Sequence, residues 1–67
     1  MKASNRMKAM VLKFRKELRG SAQKTATNVF LRVYQSSLDN EYPSDVAYSH
    51  AEEAVVSELS YLLKKNK

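Results

Sequence analysis

A chain of 67 residues forms one domain, and one this short buries only about 60% of the surface its unfolded chain exposes, so stability is marginal and a homodimer or bound partner is a natural way to complete the core. The net charge of +5 hides a polarity: residues 1–24 hold Lys2, Arg6, Lys8, Lys13, Arg15, Lys16, Arg19 and Lys24 against Glu17 alone, whereas residues 39–58 hold six acids and no Lys or Arg. The absence of cysteine excludes a disulfide framework, a thiolate metal site and a cysteine nucleophile, and makes the reducing cytoplasm the simplest compartment.

The chain opens Met-Lys, yet Ala3, Ser4, Asn5 and Arg6 contain no apolar signal core. No later segment approaches the roughly 18 to 20 apolar residues of a membrane span, so a soluble, unprocessed protein with no transmembrane segment is expected. Over 4–19, Met7, Met10, Val11, Phe14 and Leu18 recur at intervals of three and four, which predicts a first amphipathic helix. Gly20 is placed to stop it as the C′ residue, with Lys16 and Arg19 in its last turn, where the helix dipole favours cations. Ser21 or Thr25 can cap a second helix over 22–38, whose stripe of Ala26, Val29, Phe30, Val33, Tyr34, Ser37 and Leu38 is the cleanest helical repeat in the chain. The run from Asp39 to Ser44 is a turn, since Asp and Asn bond their own backbone and Pro43 fixes φ. Ser44 as N-cap and Asp45 in the first turn then start a third helix over 45–64, and the tail from Lys64 to Lys67 is expected to fray.

The third helix organises the rest. Ala47, Ala51 and Ala54 make its first half narrow, so a neighbouring helix can approach closely, whereas Val55, Val56, Leu59, Leu62 and Leu63 make the second half wide enough to touch two partners. Short connections favour antiparallel neighbours, so the expected architecture is all-α: a small three-helix antiparallel bundle.

The run Ala26-Thr27-Asn28-Val29-Phe30-Leu31-Arg32-Val33-Tyr34-Gln35-Ser36-Ser37, followed after the acidic loop by Asp45-Val46-Ala47, Ala51, Ala54-Val55 and Glu58, resembles the ChaB-like family, small helical proteins labelled as regulators of cation transport, with relatives in viruses. The resemblance covers about 26–59 and implies a helical regulatory protein; it supplies no mechanism. The chain departs from the family pattern at Glu52, where a tryptophan is usual, and lacks the Leu-Pro that precedes the first helix of the motif.

Catalysis finds little support in the residues. His50 is the only histidine, and with no cysteine, second histidine or Gly-rich phosphate loop it completes neither a triad nor a metal set. It reads as a boundary histidine beside Val46 and Ala54. Asp39, Glu41 and Asp45 lack the glycine and distant bidentate Glu of a calcium loop and read as a solvated acidic turn. No metal or cofactor is expected.

The basic first helix carries the functional expectation. Lys2, Arg6, Lys13 and Lys16 gather opposite the Met7, Phe14, Leu18 stripe, where they can lie along a phosphate backbone, or form a solvated face partly paired with the acidic third helix. Met7, Met10 and Phe14 fit core packing, with an exposed target-binding surface as the alternative. Tyr34, Tyr42, Tyr48 and Tyr61 fit core edges as well as base stacking. Three functions follow: a non-enzymatic protein contacting nucleic-acid phosphates; a small regulator or inhibitor docking on a protein partner, a host protein if the chain is viral, through the first helix or the loop at Tyr42; and a structural homodimer joined at Val56, Leu59 and Leu63. Glu58 falls inside the third helix's apolar stripe. It is expected either to tie to Tyr34, Arg32 or a first-helix cation, or to reach water at the rim.

Overall fold

In the computed structural model, which describes residues 4–65, the first helix begins where the sequence offers a cap. The Ser4 hydroxyl accepts the Met7 N–H at 3.1 Å, satisfying one of the N–H groups a helix start leaves unpaired. This helix, α1, runs only Asn5–Leu12, and the expected continuation to Arg19 does not form. Lys13 and Phe14 turn the chain, with their N–H groups donating to the carbonyls of Met10 and Val11 at 3.1 Å each, and Arg15 is extended at ψ 148°. A single 3₁₀ turn, Lys16–Leu18, leads into α2, Arg19–Asp39.

Arg19 braces the turn that follows this early stop. Its guanidinium donates to the Phe14 carbonyl at 3.0 Å and the Leu12 carbonyl at 3.3 Å, so one orphan acceptor of the last turn of α1 and one of the turn after it are met by a side chain from the start of α2. Three expectations are thereby corrected. Gly20 is not a C′ residue but lies in the first turn of α2, without positive φ. Lys16 and Arg19 do not occupy the last turn of α1. Neither Ser21 nor Thr25 caps α2; the residue before it is Leu18, and no side chain bonds the helix start.

The helix α2 ends as the turn chemistry requires, and after it α3 runs Ser44–Lys65. Ser44 is the first residue of α3, not its cap: the Pro43 carbonyl accepts the first helical bond, from the Ala47 N–H at 2.9 Å. Ala47, Ala51, Val55 and Leu59, spaced every four residues, are wholly buried. Ala22, Ala26 and Phe30 form the matching ridge on α2, and such rows interdigitate when helices pack. The pair is antiparallel, joined by the short turn over 40–43 and tied where the Ser37 hydroxyl meets His50 Nδ1 at 3.2 Å.

The helix α3 touches α1 as well as α2, and the ion pair described between α1 and α3, Arg6 with Glu52 and Glu53, falls in its alanine half. Met7, Met10 and Phe14 all enter the core. The helix α1, about 12 Å long at 1.5 Å per residue, covers only part of α2, which spans about 31 Å on the same arithmetic. Beyond α1 the cleft between α2 and α3 is closed by aromatic rings: Phe30 stacks on Tyr34 at 5.7 Å between centroids and meets Tyr48 edge-on at 5.1 Å, arrangements that aromatic quadrupoles favour. The bundle measures 38 × 21 × 15 Å, all-α with three helices as expected, and no helix among the described residues is long and apolar enough to cross a membrane.

Candidate nucleic-acid interface and the neighbouring groove

The break after Leu12 rearranges the cations expected on one helix face. Arg6 remains on α1, but it turns toward α3, bonding the Glu53 carboxylate with Glu52 at 3.8 Å. The hydrogen bond to Glu53 and its charge hold the Arg6 guanidinium above its usual range. A base raised in this way stays charged across the neutral range and below it, so the arginine side of this pair adds no pH dependence near neutrality. Arg6 is therefore engaged with α3 at the surface of the bundle. Lys13 lies in the turn and Lys16 in the 3₁₀ segment, both exposed, so they share no continuous helical face with Arg6. Lys2 lies outside the described residues, as do Asn66 and Lys67 of the tail.

The antiparallel topology supplies what the single helix does not. The start of α2 and the end of α3 lie at the same end of the bundle, so Lys64 and Lys65, exposed in the last turn of α3, join Lys13, Arg15, Lys16 and Arg19 there. Glu17 is the one carboxylate from these segments, and it is paired with Arg15. The opposite end carries Asp39, Glu41 and Asp45, and between Val33 and Leu63 there is no Lys or Arg. Local sequence reading left Lys64 and Lys65 out because they are some fifty residues away from Lys13; the signal that recovers them is the helix count and the shortness of the α2–α3 turn.

Other expected surface residues fall differently. Leu59 is wholly buried, so it cannot belong to a dimer face: its place in the every-fourth-residue ridge points it into the core, while Val56 and Leu63 are half-buried against that core. Tyr42 is exposed and packs edge-on against His50 at 5.1 Å between centroids. Tyr34 and Tyr48 are engaged with Phe30, leaving Tyr61, 60% exposed, as the most open tyrosine. Glu58 is half-buried and bonds no other described residue; its carboxylate reaches the rim, so the expected tie to Tyr34, Arg32 or a cation of α1 is absent. His50, expected only as a boundary residue, is exposed, and its ring nitrogen serves the buried Ser37 hydroxyl. Ser37 is enclosed between helices and not open to a substrate.

Between α1 and α2, on the side away from α3, lies a half-open groove of about 650 Å³ lined by apolar side chains of both helices, with Lys8, Gln23 and Thr27 among them. Its lips are Leu12, 63% exposed, and Leu31, 51% exposed. Periodicity reading misses it because both leucines lie off the core stripes. Comparison of the chain with protein-family models, with curated proteins and with solved structures finds no match, so the likeness of residues 26–59 to ChaB-like proteins rests on those residues alone.

Proposed function

We propose that the chain is a small, non-enzymatic binding protein of the cytoplasm that holds nucleic-acid phosphates against its cationic end, with little preference for base sequence. The observation that carries this reading is the end-to-end separation of charge. Lys13, Lys16, Lys64 and Lys65 come from three segments to one end, and no carboxylate among the described residues pairs with them. Duplex DNA presents one negative charge per about 1.7 Å of axis, so a basic face the width of this bundle meets several phosphates at once, and each neutralised phosphate releases counterions. Contacts to phosphate, with no base readout, are the whole of the proposed interaction.

The test is binding of a mixed-sequence duplex at low salt by the wild-type chain and by Lys13→Glu with Lys16→Glu. Both side chains are exposed, so helicity should be unchanged while affinity falls beyond measurement. Equal affinity of the two proteins sinks the reading. A second reading, docking on a protein partner, is favoured by a different observation, the apolar groove between α1 and α2.

A further inference from the structure

We propose that the groove between α1 and α2 is a docking site for an acidic amphipathic helix of a different protein. The case begins with the two flanks of α1. Arg6 and Met10 face α3, where Arg6 pairs with Glu53. Lys8, Val11 and Leu12 face the groove. The carboxylates described as pairing with α1, Glu52 and Glu53, are thus on its far side.

The other wall is also free of acid. From Arg19 to Leu38 no Asp or Glu occurs; Lys24 does not line the groove, but it is exposed, and helical spacing sets it on the outer side of α2, close in angle to the lining residue Leu31. Apolar floor, two exposed leucine lips and cations on both sides are the complement of a helix with an apolar stripe and carboxylates flanking it, the arrangement by which helices lie in grooves. The groove is open along α1, only eight residues long, so it engages two or three turns of the incoming helix and binds weakly, as small interfaces do.

Charge also decides between occupants. Two copies of this chain meeting groove to groove around a two-fold axis would set Lys8 and Lys24 of one copy against the same cations of the other, an arrangement that like charges oppose. A nucleic acid gains nothing from the leucine lips. The occupant that uses every feature of the groove is an acidic helix from a different protein, and this site is separate from the cationic end.

The probe is a fluorescein-labelled helical peptide of about 14 residues, near the lower length for a helix in water, with leucines every three or four positions and glutamates flanking them. A second peptide carries lysines in place of the glutamates. Anisotropy titrations are made against the full chain and against Leu12→Ser with Leu31→Ser, two exposed positions whose change should leave circular dichroism and the urea midpoint in place. Saturable binding of the acidic peptide, weakened at least about tenfold by the leucine changes and at least about tenfold by the lysine peptide, is the expected result. The wild-type chain should show peptide-dependent shifts of the Leu12 and Leu31 methyl resonances, and the leucine variant should bind duplex DNA as the wild type does. Absence of saturable binding, equal binding by the leucine variant, or equal binding of the two peptides overturns the proposal. So does a dimer in sedimentation that the leucine changes dissolve, because the groove is then covered by a second copy.

Discussion

Glu41 sits at φ 68°, the left-handed region that glycine enters freely and other L-residues enter at a cost of about 1 to 2 kcal/mol. Two bonds hold it there: its N–H donates to the Leu38 carbonyl at 3.0 Å, and the Tyr42 N–H to the Ser37 carbonyl at 3.1 Å. These are the paired bonds of a Schellman end, and Glu41 occupies the position where glycine is most common. Glu41→Gly should therefore stabilise the fold by about 0.5 to 1 kcal/mol in urea denaturation, whereas Glu41→Ala should change it little. Gly20 is the converse case. It lies in a helix, a Cβ there would meet nothing within 4 Å, and Gly20→Ala should stabilise by about 0.5 to 1 kcal/mol. A loss on that substitution would mean that Gly20 is needed as a chain reversal after all. Glu58, half-buried with its carboxylate at the rim, should tolerate alanine with a change below about 0.5 kcal/mol; a loss of about 1 to 3 kcal/mol would reveal a partner at that carboxylate.

At the scale of elements, α1 is the least secured part of the fold. It is short, it contributes Met7 and Met10 to the core, and its end depends on Arg19 reaching back from α2. Regions with few buried contacts open locally at lower free energy than the rest of a domain. Amide exchange should thus be faster at Met10, Val11 and Leu12 than at Phe30, Val55 and Leu59. Arg19→Ala should widen that gap by about 1 to 2 kcal/mol, the worth of hydrogen bonds to a charged donor. Unchanged exchange in α1 would show that the guanidinium does not hold its end. This bond also explains which boundaries are legible in the sequence. The turn at Pro43 and the stripes of α2 and α3 follow from residue chemistry acting within a few positions. The stop after Leu12 does not, because Met10, Phe14 and Leu18 keep a helical interval straight through it and neither Gly nor Pro marks it. The bonds described across that stop come from a polar side chain five and seven residues beyond the carbonyls it reaches, and periodicity carries no trace of such a contact. The single glycine then drew the boundary toward itself, although in α2 it meets no steric demand.

At the scale of the whole molecule, the antiparallel pairing of α2 and α3 converts a chain with basic ends and an acidic middle into a rod with one cationic and one anionic end. The candidate site was half legible for this reason: Lys13 and Lys16 stand out in a basic segment, but their company with Lys64 and Lys65 exists only once the fold brings the two ends of the chain together. Arg6, which the same segment also supplies, is removed from the site by Glu53. The Glu52 carboxylate lies 3.8 Å from Arg6, adding to the charge that holds the arginine against α3. The cationic end makes a quantitative prediction. If its four lysines without carboxylate partners each neutralise one phosphate, the slope of log affinity against log salt should be about −3.6, from about −0.9 per contact on duplex DNA. Affinity should then fall by roughly 150-fold between 50 and 200 mM salt, since a fourfold rise in salt acts with that exponent. Replacing Lys13 and Lys16 with glutamine removes two contacts without introducing repulsion, and the slope should drop in magnitude by about 1.8. Arg6→Gln should leave it unchanged, because that guanidinium faces α3 and not the cationic end. A slope near zero in the wild-type chain, or one that Arg6→Gln lowers as much as the lysine changes do, would show that the gathered lysines are a solvated end and that phosphate recognition is not their work.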